Sequence, residues 1–204
     1  MASLETFFPT KLYRARLKGA DALSADLVRS ARALASDDKA GREWCRTHGY
    51  RGYTSYASLN DLPWRDPAFA ALKEQLDEHA ILFARELDFD LAGRSLEIDS
   101  MWVNVLSPGG AHSGHIHPLS VLSGTYYVSV PDGASALKLE DPRLAMMMAA
   151  PPQKVRVRND NRRFVYVAPA EGAVLLWESW LRHEVPVNES KQDRISVSFN
   201  YALS

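Results

Sequence analysis

The chain has 204 residues and a mass of 22.8 kDa, enough for one well-buried domain and short for two. An apolar fraction of 46%, a charged fraction of 24%, a net charge of -1 and a pI near 6.6 describe an ordinary globular composition. No basic stripe is present to steer an anionic polymer, so nucleic acid is not indicated as a partner, and the one cysteine, Cys45, excludes an internal disulfide and fits a reducing compartment.

Met1 to Tyr13 holds no long apolar run, so neither a signal peptide nor a membrane span is expected, and the protein is assigned to the cytoplasm. Phe7-Phe8-Pro9 suggests a strand or turn at the start of the domain. Ser24 is placed to cap a helix that carries Leu27, Val28, Ala31 and Leu34 at helical spacing and stops at Ser36-Asp37-Asp38. Cys45, within Trp44-Cys45-Arg46-Thr47-His48, is expected to be structural, since no second nucleophile motif accompanies it. Gly49 to Trp64, rich in Tyr, Ser, Gly and Asn, predicts a long ordered loop. Asp66-Pro67 opens a longer helix, a capping residue followed by proline at the first helical position; Phe69, Leu72, Leu76, Ala80, Phe83 and Leu87 form its apolar stripe, and His79 beside it is expected to pack half-buried.

From Leu96 the period changes to two. Strands are predicted over Leu96 to Leu106, His115 to His117, Thr125 to Val130, Leu137 to Glu140, Lys154 to Arg158, Arg163 to Ala168, Ala173 to Trp177, Glu184 to Val187 and Arg194 to Tyr201. The expected fold is mainly β with flanking helices, a double-sheet jelly roll: one domain over 1–204, with a helical flank in 1–95 packed on one sheet and the β core in 96–204. In the last strand Ile195, Val197 and Phe199 share one face, and Arg194, Ser196, Ser198 and Asn200 the other. A polar inner face in a small barrel implies a ligand, because unpaired buried polar groups cost a few kcal/mol each, roughly. The same alternation sends Tyr127, and not Tyr126, to the interior.

His112, His115, His117 and His183 are four of the chain's six histidines. A strand's period would aim His115 and His117 to one side, which suits a metal, although Pro108-Gly109-Gly110 and Ser113-Gly114 also fit polar loop residues beside a turn. Leu144 to Ala150, apolar with three consecutive methionines, is either a lid or partner surface or a short buried helix, and Trp177 and Trp180 are expected to pack.

Trp102-x-Asn104, His115-x-His117-Pro118, Ser123-Gly124-x-Tyr126-Tyr127-Val128, Asp141-Pro142-Arg143, His183-x-Val185 and Arg194-x-Ser196-x-Ser198-Phe199-Asn200 resemble the iron(II)- and 2-oxoglutarate-dependent oxygenases of bacteria and phages. Leu175 to Phe199 is also similar to the end of prolyl-hydroxylase domains. The resemblance implies a double-stranded β-helix, cupin-like in outline. It further implies Fe(II) held by His115, His117 and His183, and 2-oxoglutarate bound through Arg194, Ser196, Tyr127 and Asn104. Dioxygen would be the second cosubstrate, and the substrate a small molecule or peptide that the sequence does not name; it leaves the oligomeric state open, a homodimer included. One departure stands out: the superfamily's usual His-x-Asp or His-x-Glu has become His-x-His, with Glu178 or Asp141 as the candidates for a carboxylate arriving from elsewhere. Two alternatives follow, a three-histidine cupin-type dioxygenase that uses no 2-oxoglutarate and a non-catalytic jelly roll holding a structural metal. The second is disfavoured because closed structural zinc sites prefer cysteines and four protein ligands.

Overall fold

Asp66 and Pro67 act as their types predict in the computed structural model, which describes residues Met1–Ser204. The Asp66 carboxylate accepts from the Ala68 N–H at 2.8 Å, and Pro67 begins a helix that runs to Glu86. Two helices precede it, α1 (Ala20–Asp37) and α2 (Lys39–Thr47), so Pro67–Glu86 is α3. The first begins one turn earlier than Ser24, after Gly19 in the left-handed conformation (φ 61°); Ser24 lies inside it and its hydroxyl pairs with the Tyr126 hydroxyl at 2.8 Å. Asp37 and Asp38 do more than end α1: Asp38 caps α2 through the Gly41 N–H at 2.9 Å. The sequence hides α2 because it is short and charged, with only Gly41 and Cys45 buried.

Ten strands follow the order β1 (Tyr13–Arg16), β2 (Gly52–Thr54), β3 (Leu96–Leu106), β4 (His112–His115), β5 (Leu122–Ser129), β6 (Leu137–Glu140), β7 (Phe164–Val167), β8 (Ala173–Glu178), β9 (His183–Val185) and β10 (Arg194–Leu203). They form two antiparallel sheets, one in the order β1-β8-β5-β10-β3-β2 and one in the order β4-β9-β6-β7, the double-stranded β-helix expected. The predicted loop 49–64 contains β2 and a 3-10 turn at Leu62–Trp64, and β1 and β2 carry the flank 1–95 into the larger sheet as its edge strands. Lys154 to Arg158 is not a strand: Val155 is fully exposed and the segment pairs with nothing. Phe7 and Phe8 are exposed and outside any strand. Leu144–Met146 forms one exposed 3-10 turn, so the buried-helix alternative fails, and Met146 and Met148 face solvent.

The packing explains where a cavity can form. Twenty-seven buried residues fill the space between the helices and the outer face of the larger sheet, among them Phe69, Leu72, Leu76 and Phe83 of α3 and Ile195, Val197 and Phe199 of β10; here the count 27 marks the main core. Burial of each such large side chain contributes about 1.5–3 kcal/mol. Only 10 buried residues form the cluster between the sheets, and the remainder of that interior is polar and open. His79 is half-buried and bonds the Tyr13 hydroxyl at 2.7 Å, and the Cys45 thiol is buried against Thr54, both structural as expected. No helix is long and apolar enough to cross a membrane.

Candidate metal centre

His115 and His183 are direct cross-strand partners of β4 and β9, so their side chains stand side by side on the inner face. The paired strand ends at His115, two residues short of the expected bound, yet His117 still lies on the same side as His115, as a period of two predicts, their rings stacked at 15°, and the His117 N–H donates to the Ser179 carbonyl at 3.0 Å. The ring centroids are then 4.4 Å (His115–His183), 5.1 Å (His115–His117) and 5.0 Å (His117–His183) apart, and one donor atom from each lies within 4.8 Å of the others.

Each ring is held through its Nδ1. His115 donates to the Ser113 carbonyl at 2.7 Å, His183 to the Leu181 carbonyl at 2.8 Å, and His117 to the Asn200 side-chain carbonyl at 2.5 Å. All three acceptors are carbonyl oxygens, so each Nδ1 carries the proton and each Nε2 presents a lone pair, the arrangement that fixes imidazoles as metal ligands. Asn200 is itself fixed, accepting from the Ser123 hydroxyl at 2.8 Å and donating to Ser100 at 3.1 Å. Burial pushes the His183 imidazole down to about 3, and burial also lowers His117 against the opposing pull of Asn200. Both are neutral near pH 7, as a metal ion requires of them. No carboxylate joins the group: Asp141 is bound to Arg143 at 2.8 Å, and Glu178 faces a separate shallow depression with Trp180.

The cavity in front of these rings has a volume of about 770 Å³. Arg194, which also lines it and is only 2% exposed, donates to the Ser196 hydroxyl at 3.2 Å and stands 5.0 Å from the centre of the Tyr127 ring. No acidic side chain pairs with it, and its Nε and the Tyr127 hydroxyl are buried without partners. A desolvated guanidinium with an idle N–H beside an idle phenol is poorly stable alone and fits a carboxylate. Asn104, in contrast, is already engaged at both ends of its amide, accepting from Thr54 at 2.8 Å and donating to Ser198 at 3.0 Å, although it lines the cavity.

Sequence reasoning gave His112 no role. A register irregularity between His112 and His115 turns both toward the cavity, and the Tyr50 hydroxyl bonds His112 Nε2 at 2.7 Å. Burial, with Arg194 second, pushes His112 down to about 3. Trp177 packs its ring edge-on to His183 as expected, whereas Trp180 is 46% exposed and does not.

Residues 100–200 match the family described as "Putative 2OG-Fe(II) oxygenase". No curated protein matches the chain. Among solved structures the fold is similar to that of a Pseudomonas putida prolyl-4-hydroxylase (15% identity, 95% of this chain and 92% of that one, TM-score 0.60). It is also similar to HygX from Streptomyces hygroscopicus, solved with nickel and 2-oxoglutarate bound (15% identity, 95% and 83%, TM-score 0.62). A third is the non-heme alpha ketoglutarate dependent epimerase SnoN from nogalamycin biosynthesis (12% identity, 95% and 77%, TM-score 0.63). At these identities the likeness is one of fold.

Proposed function

Since residues 100–200, the half of the chain that carries the histidine triad and Arg194, belong to the 2OG-Fe(II) oxygenase family, we propose that His115, His117 and His183 hold the iron and that Arg194 holds the far carboxylate of 2-oxoglutarate. When bound, the two supply the oxidising chemistry: dioxygen is consumed, 2-oxoglutarate leaves as succinate and carbon dioxide, and one oxygen atom is delivered to a substrate C–H bond.

The chain's own contribution is orientation and the exclusion of water. The carbonyls of Ser113, Leu181 and Asn200 hold the three rings with Nε2 forward, so little reordering accompanies binding of the metal. The carboxylate is assigned to Arg194 Nε and the Ser196 hydroxyl, with the unpartnered Tyr127 hydroxyl as a further donor beside Arg194; Tyr50 and His112, bonded to each other, line the same cavity. Asn104 supports the inner wall by joining Thr54 to Ser198. The single cysteine and the absence of any disulfide support a cytoplasmic setting.

The observation that carries this reading is the unpaired, buried Arg194, because a three-histidine dioxygenase without 2-oxoglutarate leaves that cation nothing to do. Anaerobic titration of 2-oxoglutarate into the Fe(II) protein tests it through the weak visible charge-transfer absorption of the chelate. A saturable band is expected, with a dissociation constant weakened roughly thirty-fold or more in Arg194→Ala, since truncating one partner of a buried charge pair costs about 2–5 kcal/mol. Iron bound with no band would sink the proposal.

A further inference from the structure

The side chains around the cavity include no aspartate, no glutamate and no lysine, and Arg194 is the one permanent charge among them. Other charges near the cavity are exposed, occupied or lie elsewhere: Asp99, whose charge acts on His117, is at the surface and accepts from the Ser100 hydroxyl at 2.8 Å. Arg182, whose guanidinium covers Gly114, pairs with Glu140 at 3.4 Å, and Glu178 opens onto the separate depression beyond Ile116 and Pro118. Among uncharged hydroxyl, amide and aliphatic groups, the large side chains that line the approach to the histidines are aromatic. Trp102 lies 5.8 Å from His117 and Trp177 4.8 Å from His183, centroid to centroid, and Tyr56 stands edge-on to Trp102 at 5.1 Å while remaining 53% exposed at the rim.

From this census we infer that the reacting part of the substrate is an uncharged apolar or aromatic group seated against Trp102 and Tyr56, and that free amino acids and amines are excluded. The inference rests on the oxygenase reading and extends it to the substrate. An ammonium brought into this cavity would meet aromatic faces, uncharged hydroxyl and amide groups such as those of Thr54, Asn104 and Ser198, and the cation Arg194, with no carboxylate to pair it, and an unpaired buried ion costs several kcal/mol, roughly. A second carboxylate would find Arg194 already taken by the cosubstrate and could reach only the iron, where it would compete with the cosubstrate and dioxygen. An uncharged ring loses nothing of this kind and gains the apolar contact of the indole and phenol walls. The volume, about 770 Å³, lies in the range of pockets that enclose a whole small molecule or a side chain with its neighbours.

Calorimetry on the Fe(II) protein with and without 2-oxoglutarate, under nitrogen, tests this with four probes that share one ring: naphthalenemethanol, naphthalenemethylamine, naphthoate and naphthylalanine. In the presence of 2-oxoglutarate the alcohol should bind about tenfold or more tightly than any of the charged probes. Naphthoate should bind only when 2-oxoglutarate is left out, by taking Arg194. Trp102→Leu and Tyr56→Ala should each weaken the alcohol several-fold, the exposed Tyr56 serving as the variant least able to disturb folding. The inference is overturned if the amine or the amino acid binds as tightly as the alcohol, or if both variants leave the alcohol unchanged. Failure of 2-oxoglutarate itself to bind would overturn the oxygenase reading alone, because the ranking of alcohol over amine is measured in its absence as well.

Discussion

Asn200 shows how a single side chain can set the quality of the proposed metal site without itself being one of the proposed ligands. Its carbonyl oxygen takes the His117 Nδ1 proton and the Ser123 hydroxyl, and its amide donates to Ser100. Alternation along β10 puts Asn200 on the same inward face as Arg194, Ser196 and Ser198, so its location was legible in the sequence; its partner was not, because His117 lies 83 residues away beyond the end of β4. Asn200→Leu keeps the volume and removes the acceptor. Metal affinity, read by competition with a chromophoric chelator, should fall about 10- to 100-fold, as for other partners behind ligating histidines, while far-UV circular dichroism stays native. An unchanged affinity would mean that His117 is oriented by packing alone. Gly124 is a second position decided by one neighbour: a Cβ there would lie 2.4 Å from the Phe199 ring and 2.7 Å from the Leu175 carbonyl. Gly124→Ala should therefore cost about 1–3 kcal/mol in chemical denaturation, the usual penalty for overpacking.

At the scale of elements, the strands with clean alternation were legible: β3 and β6 have the predicted bounds, and β10 extends only two residues past its own. What escaped was structure made by single polar residues, and α2 is the example. Partial burial pushes the Asp38 carboxyl up, but the Gly41 and Ala40 N–H groups and the Ser58 and Tyr53 hydroxyls outweigh it and hold the carboxyl below its ordinary value. A carboxyl depressed in the folded state contributes stability above its unfolded pKa, about 3.9, and that contribution is lost as the pH falls through the folded value. Asp38→Ala should lower stability at pH 7 by about 1 kcal/mol, typical of a lost cap, and the gap between variant and wild type should close below about pH 4. A gap independent of pH would assign the effect to packing. The excursion between β6 and β7 failed as a strand for the opposite reason: Lys154-Val155-Arg156-Val157-Arg158 alternates correctly but has no neighbour to pair with, and period alone cannot supply one. Its exposed lysine and arginines make it the expected site of first attack by trypsin, seen by mass spectrometry as cleavage after Lys154, Arg156 or Arg158 before any cut in α3 or β10.

For the molecule as a whole, the helical flank and the β core share one interior. The main buried cluster joins Leu27 and Ala31 of α1, Cys45 of α2 and Phe69, Leu72 and Leu76 of α3 to Val103, Val128, Val174 and Val197 of the larger sheet, while β1 and β2 border that sheet. Neither part can open without exposing the other's apolar face, so unfolding should be a single calorimetric transition. The histidine triad belongs to the smaller sheet and the segment just after β4, yet it is tied through Asn200 and Ser123 to β10 and β5 at the centre of the larger one. A metal bound there links both sheets and should therefore raise the midpoint of the whole transition. At a free metal concentration of about 100 times the dissociation constant, binding to the folded state alone contributes about 2.7 kcal/mol, which for a chain of this size corresponds to an upward shift of roughly 5–10 °C. Chelation should reverse the shift, and a variant carrying His115→Ala and His183→Ala should show none. A metal-dependent shift confined to the second of two resolved transitions would mean that the flank and the core fold separately, and that the shared cluster does not couple them.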